Sequence, residues 1–143
     1  MQTKELRIIY WAATLLFVLP LTWSAILYFT ESPNMVNTMA HLGYPIYFLK
    51  ILGTAKLLGV AALLFPRWPT LKEWAYAGFT FDLIGACWSH LSSGDPFYIA
   101  LVPIGFLVVL VISYVSWKRL QREEAVSGAQ KGAIQSAAAR FKG

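Results

Sequence analysis

Ionisable side chains lie inside stretches that are otherwise apolar, and these are the residues whose types could support chemistry. Lys56 lies within the apolar stretch 46–65, and both Asp82 and His90 lie within the apolar stretch 74–91. A charge inside a membrane-spanning segment is costly to insert and usually faces the interior of a helix bundle. A buried carboxyl group there can act as an acid or base. We therefore predict Asp82, His90 and Lys56 as candidate catalytic residues.

Lys56 and Asp82 are predicted to form a pair. Each lies about 13–15 Å into its own segment, counted from opposite ends at 1.5 Å per residue. If the two segments are antiparallel neighbours, the two charges reach a similar depth. Two interpretations remain open for this pair. It could be a structural ion pair that locks two helices, or a pair that transfers protons or anchors a ligand.

A second group of polar residues is predicted to gather toward the outer side. Ser89 and His90 lie close to the Asp82 face of one helix, because seven and eight residues are about two turns. The candidate substrate-binding residues are His41, Lys50, Ser89, Trp88 and Tyr44. We expect one pocket between the second and third apolar segments, bordered by both Asp82 and His90 and covered by His41. No metal site is predicted, because two histidines and Asp95 supply too few ligands.

Glycines accompany the pair on both segments. Gly53 and Gly59 share roughly one face with Lys56, and Gly78 and Gly85 share one with Asp82. Small residues allow helices to approach closely. The pattern predicts tight packing of these two segments around the pair.

Four apolar stretches, 8–29, 46–65, 74–91 and 96–117, provide the elements that must position these residues. A bilayer core requires about 20 apolar residues per helix. Hydrophobic residues make up 57% of the chain and charged residues only 13%, against about 25% charged in an average soluble domain. We predict an all-α integral membrane protein, an up-down-up-down four-helix bundle over residues 1–122. The tail 123–143 is expected to be flexible and disordered rather than a surface helix.

The basic residues predict the orientation. Ten of the twelve lie before the first stretch, in the turn 66–73 or after the fourth stretch, whereas the turns 30–45 and 92–95 contain none. Basic residues favour the cytoplasmic side. Both termini are therefore expected to be cytoplasmic, in a multi-pass protein of the cell inner membrane. Nucleic-acid binding is not expected, because the charges follow the topology and form no readout face. The single cysteine, Cys87, excludes dithiol redox chemistry within one chain.

Two long blocks carry a resemblance to a known family. They are HLGYPIYFLKILGTAKLLG over 41–59 and LKEWAYAGFTFDLIGACWSHL over 71–91, the latter followed by SSGD. With these blocks the chain, over roughly residues 10–117, resembles the DoxX-like family of small bacterial membrane proteins. The resemblance implies a four-helix membrane protein. The family is named for a small subunit of a thiosulfate:quinone oxidoreductase, and relatives are linked to redox and stress complexes.

Three functions stay open at this point. The protein could be an accessory or quinone-linked component of a membrane redox system, with a quinone as its cofactor. It could be a non-catalytic factor that assembles or stabilises a membrane partner. It could also be an intramembrane acid–base enzyme on an apolar lipid-like substrate, with Phe79, Phe81, Trp88 and Trp23 stacked around a developing cation. The lipid bilayer is the expected environment in each case, and the sequence leaves the substrate, the partner and the oligomeric state open.

Overall fold

A computed structural model describes residues 3–65 and 67–141, and within these residues the fold is all-helical with no strand. The helices are α1 (Thr3–Phe29), α2 (Pro33–Leu42), α3 (Tyr47–Leu64), α4 (Pro69–Ser92) and α5 (Phe97–Arg140). Pro66, Lys142 and Gly143, which belong to the predicted inner turn and tail, lie outside the described residues.

The helix count is five among the described residues, where the sequence analysis expected four. The additional helix, α2, lies between α1 and α3, in the segment predicted to be the first outer turn. It begins at Pro33, whose fixed φ suits the first helical turn. It ends at Gly43, which adopts a φ of 80° and donates its backbone N–H to the Ala40 carbonyl. A glycine in the left-handed αL conformation commonly ends a helix at this position.

The four long helices pack in the ring order α1, α3, α4, α5. Helix α1 contacts α3 and α5, and α4 contacts the same two helices from the other side, while α2 contacts α3. Large apolar side chains fill the centre of the ring, among them Phe17, Leu63, Phe79 and Leu110. Phe17 meets Phe79 edge to face, with the two ring centroids 5.1 Å apart. This core holds α4 in place between its neighbours.

Polar side chains also join the helices inside the ring. The Ser113 hydroxyl of α5 lies 2.7 Å from the Thr14 hydroxyl of α1 and 2.8 Å from the Tyr76 hydroxyl of α4. In the first turn of α4, the buried Lys72 ammonium donates to the Tyr10 hydroxyl of α1. Because these groups are buried in a low-dielectric core, each of these bonds helps to fix the relative rotation of two helices.

The outer surface of the ring is apolar. Within residues 3–65 and 67–141, three helices, α1, α3 and α5, are long and apolar enough to cross a membrane, and only 28–33% of the most apolar 18 residues of each is buried inside the protein. The remaining side chains are largely exposed Leu, Ile, Val, Phe and Trp. A continuous exposed apolar surface of this kind is unfavourable in water. The chain is therefore a membrane protein that presents these faces to lipid. Helix α4 has 24 residues, but Asp82, His90 and its small and aromatic residues make it less hydropathic.

Helix α5 continues as one helix through the predicted tail to Arg140. Residues 123–140, which were expected to form a flexible tail, lie in this helix. Their sequence is rich in alanine, the residue with the highest helix propensity. The last buried residue on α5 is Leu120, and beyond it the helix leaves the core.

Candidate functional site

The ion pair expected from the sequence is present between α3 and α4. Lys56 Nζ donates to Asp82 Oδ2 at 2.8 Å, and the two side chains are 10% and 24% exposed. The same ammonium lies 5.6 Å from the centroid of the Tyr28 ring on α1. Within residues 3–65 and 67–141, no further side chain donates to Asp82 Oδ1. The pair therefore retains one acceptor oxygen and two ammonium donors for another molecule.

A groove of about 470 Å³ lies beside this pair, between α3 and α4. Its lining is formed by Leu52, Ala55, Lys56 and Gly59 of α3, with Trp74, Ala75, Gly78, Phe79, Phe81 and Asp82 of α4. Phe79 is 4% exposed and forms the floor, whereas Trp74 and Phe81 are 72% and 75% exposed and flank the opening. The groove thus opens to the lipid-facing surface and combines an apolar wall with one charged pair.

Gly59 determines where the floor of the groove lies. A Cβ atom at this position would be 2.7 Å from two atoms of the Phe79 ring. The absence of a side chain lets that ring lie directly against α3. Gly53, by contrast, packs on α1, where a Cβ would approach the Phe29 ring at 3.2 Å. The prediction that both glycines pack α3 against α4 therefore holds for Gly59 and is wrong for Gly53.

The two glycines of α4 do not mediate close packing. A Cβ atom at Gly78 or at Gly85 would meet no atom within 4 Å. The prediction of tight packing at these positions was wrong. Gly78 lines the groove, so its missing side chain contributes empty volume next to Asp82.

The outer polar residues form a separate cluster around Asp95. His41 Nε2 lies 2.7 Å from Asp95 Oδ1, and His90 Nδ1 lies 2.7 Å from Asp95 Oδ2. Hydrogen bonds from His90, and then from His41, hold the pKa of the Asp95 carboxyl below its usual value of 3.8. The carboxylate therefore connects the end of α2, the end of α4 and the turn before α5.

The remaining candidate residues have other neighbours. The Tyr44 and Ser89 hydroxyls lie 2.8 Å apart, which ties the loop after α2 to α4. Lys50 pairs with Glu31 at 3.0 Å on the surface, away from the histidines. Trp88 is 74% exposed on the outside of α4. Neither Lys50 nor Trp88 contributes to the Asp95 cluster.

One pocket bordered by both Asp82 and His90 was expected, and the structure instead separates these residues. His90 is not among the residues that line the groove. Eight residues along α4 place it about 12 Å from Asp82 in the axial direction. The turn after α4 explains why His90 pairs with Asp95. The Asp95 backbone N–H donates to the His90 carbonyl, and this turn places the Asp95 carboxylate beside the His90 ring. His41 covers this outer cluster rather than the groove.

The groove presents an apolar wall and one ion pair. Within residues 3–65 and 67–141, no group of three or more His, Cys, Asp or Glu side chains is arranged to hold a metal. The groove could hold an apolar molecule whose polar end exchanges hydrogen bonds with Lys56 and Asp82. A ring system would lie beside the Phe79, Phe81 and Trp74 side chains, where aromatic contacts are favourable. Of the four aromatics expected around Asp82, Trp23 and Trp88 do not line the groove.

Sequence reasoning missed Trp74 as a lining residue and did not predict that Asp95 would bind both histidines. The spacing of Trp74 to Gly78 and Phe81, four and then three residues, is the signal for a shared helix face with Asp82. For Asp95, the signal is the turn sequence that begins two residues after His90.

Comparisons with known proteins locate the chain in a family. Neither the curated proteins nor the solved structures gave a match. The family model described as the DoxX-like family matches residues 12–113, more than two thirds of the chain. The matched region contains the groove, the ion pair and the Asp95 cluster. The chain therefore belongs to the DoxX-like family.

Proposed function

We propose that this protein is a quinone-linked component of a membrane redox system and that the groove between α3 and α4 binds the quinone. The observation that carries the proposal is a lipid-facing apolar groove with one ion pair, Lys56 and Asp82, at its wall. Ligand sites for drug-sized molecules typically measure about 300–1,000 Å³ and combine apolar walls with few polar groups. A quinone headgroup, a ring with two opposed oxygens on an apolar tail, has this character.

The pair suits both redox states of such a ring. The Lys56 ammonium can donate to a quinone carbonyl, and Asp82 Oδ1 can accept from the hydroxyl of a quinol. The ammonium and the carboxylate already neutralise each other, so that a neutral ring can bind without leaving a net charge near lipid. In this proposal Lys56 and Asp82 contact the ligand. His90, His41, Ser89 and Tyr44 hold the outer ends of the helices together, since none of them lines the groove.

The proposal includes a topology. All four long helices span a bacterial inner membrane as a four-helix bundle, with both termini in the cytoplasm. The support is the absence of Lys and Arg from residues 30–45 and 92–95, against ten basic residues on the other side. Helix α4 belongs to the bundle because its 24 residues pack between α3 and α5, so its polar groups face other helices.

A matched pair of substitutions tests ligand binding. Gly78→Leu places a side chain into the groove, and Gly85→Leu adds the same side chain to α4 outside it. The full chain in lipid nanodiscs is titrated with a short-chain ubiquinone, and saturable quenching of tryptophan fluorescence reports binding. Gly78→Leu is expected to weaken binding at least tenfold, whereas Gly85→Leu remains like the wild type. Equal binding by both variants would contradict the proposal.

A second candidate is an intramembrane acid–base enzyme on a lipid-like substrate. The observation that favours it is the same groove, because its volume exceeds the roughly 300 Å³ needed for such a ligand and Asp82 borders it. Asp82→Asn separates the two functions. An enzyme of this kind loses turnover of its substrate, whereas a quinone-binding component retains a weakened but measurable quinone affinity. If the Gly78→Leu variant folds fully and a membrane partner protein still assembles with it, a role in assembling that partner explains the protein better than ligand binding does.

A further inference from the structure

One face of α5 changes abruptly from apolar to cationic. The exposed side chains on this face, at three- and four-residue spacing, are Val108, Val111, Ile112 and Val115, followed by Arg119 and Arg122. Residues with this spacing lie above one another on a helix. The apolar part extends about 10 Å along the helix axis, and the cationic part that follows it extends about 5 Å. The face therefore matches a molecule with apolar chains and an anionic head.

A surface depression of about 510 Å³ lies at the boundary between the two parts. It is lined by Tyr114, Val115, Lys118, Arg119, Gln121, Arg122 and Ala125. Tyr114 is half-buried here, at the depth where amphipathic rings prefer the interface between lipid and water. The cations consequently lie at the level of lipid headgroups if α5 spans the bilayer.

The charge of this depression is only partly balanced by protein. Lys118 is bound to Glu73 of α4. Glu124 points to another side of the helix and pairs with Arg7 of α1 at 3.4 Å. Within residues 3–65 and 67–141, neither Arg119 nor Arg122 forms an ion pair. Two guanidinium groups, which suit phosphate oxygens in a bidentate geometry, therefore remain available next to an apolar column.

We infer that this face of α5 binds an anionic phospholipid of the leaflet on the side of both termini. The phosphate lies on Arg119 and Arg122, and an acyl chain follows the column from Val115 to Val108. The site is independent of the groove, because it lies on α5 and shares none of the groove's residues. The occupant is a lipid rather than a free phosphate, since the apolar column continues directly from the cations.

The test compares two double substitutions on the same helix. Arg119→Gln/Arg122→Gln removes the proposed phosphate contacts, and Lys131→Gln/Arg140→Gln removes the same charge farther along α5. The purified full chain in neutral detergent is titrated with phosphatidylglycerol, and the thermal unfolding midpoint gives an apparent affinity. The first variant should bind about 30-fold more weakly, about fivefold for each arginine. The second should bind like the wild type.

Three further measurements distinguish the alternatives. Phosphatidylcholine in place of phosphatidylglycerol should give no saturable shift, and an equal shift would overturn the inference. Glycerol phosphate, the headgroup without chains, should also have no effect, and a shift equal to that of the lipid would make this a site for free phosphate. Arg119→Lys/Arg122→Lys retains the charge but not the bidentate guanidinium geometry, so its apparent affinity should lie between those of the wild type and the glutamine variant. If this variant binds as weakly as the glutamine variant while it unfolds at the wild-type temperature without lipid, charge is not the basis of binding.

Discussion

Replacement of Lys56 by methionine should destabilise the protein, because it leaves the Asp82 carboxylate without its partner. The ammonium lies 2.8 Å from Asp82 Oδ2, and at an effective dielectric constant of 20 this distance corresponds to an attraction of about 6 kcal/mol before desolvation is counted. Removing one partner of a buried pair typically costs about 3–5 kcal/mol, because the other charge stays buried alone. Asp82 is 24% exposed toward the groove. We therefore expect a loss near 3 kcal/mol.

Two further variants isolate the interaction. Lys50→Met makes the same substitution two turns away on α3, where the partner is Glu31 and the side chains are 61% and 44% exposed. An exposed pair contributes at most about 1 kcal/mol, so this variant should change stability little. Lys56→Met combined with Asp82→Leu removes both buried charges. It should recover at least half of the loss, because no unpaired charge remains.

The measurement is the free energy of unfolding of the detergent-solubilised protein, from denaturant titrations followed by circular dichroism. The coupling energy of Lys56 and Asp82 is the change in unfolding free energy in the double variant minus the sum of the changes in Lys56→Met alone and Asp82→Leu alone. If that difference is zero, the two charges do not stabilise each other. If Lys50→Met costs as much as Lys56→Met, burial is not the source of the effect.

Three other outcomes follow from the packing and the Asp95 cluster. Gly59→Ala should destabilise by about 1–3 kcal/mol, because its methyl group must displace the Phe79 ring, whereas Gly78→Ala should be neutral or stabilise by up to about 1 kcal/mol through helix propensity. Ser113→Ala should cost about 1–3 kcal/mol, since its two hydroxyl partners each lose a buried bond. The pKa of Asp95 is lowered in the folded protein, so its contribution is present above about pH 4 and lost as the pH falls through the folded-state pKa. Asp95→Asn should flatten this acid dependence in thermal melts between about pH 2 and pH 5.

Each of these outcomes has a result that would contradict it. Equal stability of the two glycine variants would mean that the Phe79 ring moves without cost. Ser116→Ala, at a second buried serine of α5, serves as the control for Ser113→Ala, and an equal loss would show that cavity formation rather than hydrogen bonding is measured. An Asp95→Asn variant whose melts keep the wild-type slope below pH 4 would show that other carboxyl groups cause the acid transition.

Local pattern was sufficient to predict the long helices and the ion pair. Long apolar runs define where α1, α3 and α5 lie. In lipid, the backbone N–H and C=O groups of each run must form hydrogen bonds within that run, which requires a helix. The Lys56–Asp82 contact followed from depth alone, since a buried charge has few alternatives to the nearest opposite charge. These are predictions in which one energetic term dominates.

The groove and the outer cluster depend on contacts that no single segment specifies. Gly59 and Gly78 look alike in sequence, yet one meets a ring and the other meets empty space, because helix rotation determines which neighbour each of them faces. His90 pairs with Asp95 rather than facing Asp82 because the turn after α4 returns the chain. The helical tail of α5 was missed for a different reason, since alanine-rich polar sequence is compatible with both helix and coil in water.

The groove opens sideways between Trp74 and Phe81, toward the lipid-facing surface. A molecule that enters through this opening arrives by two-dimensional diffusion within the bilayer and never crosses the aqueous phase. Its occupancy then follows its mole fraction among the lipids rather than its concentration in solution. Adding empty lipid vesicles that fuse with the sample would dilute the ligand and empty the groove, whereas adding buffer would leave occupancy unchanged.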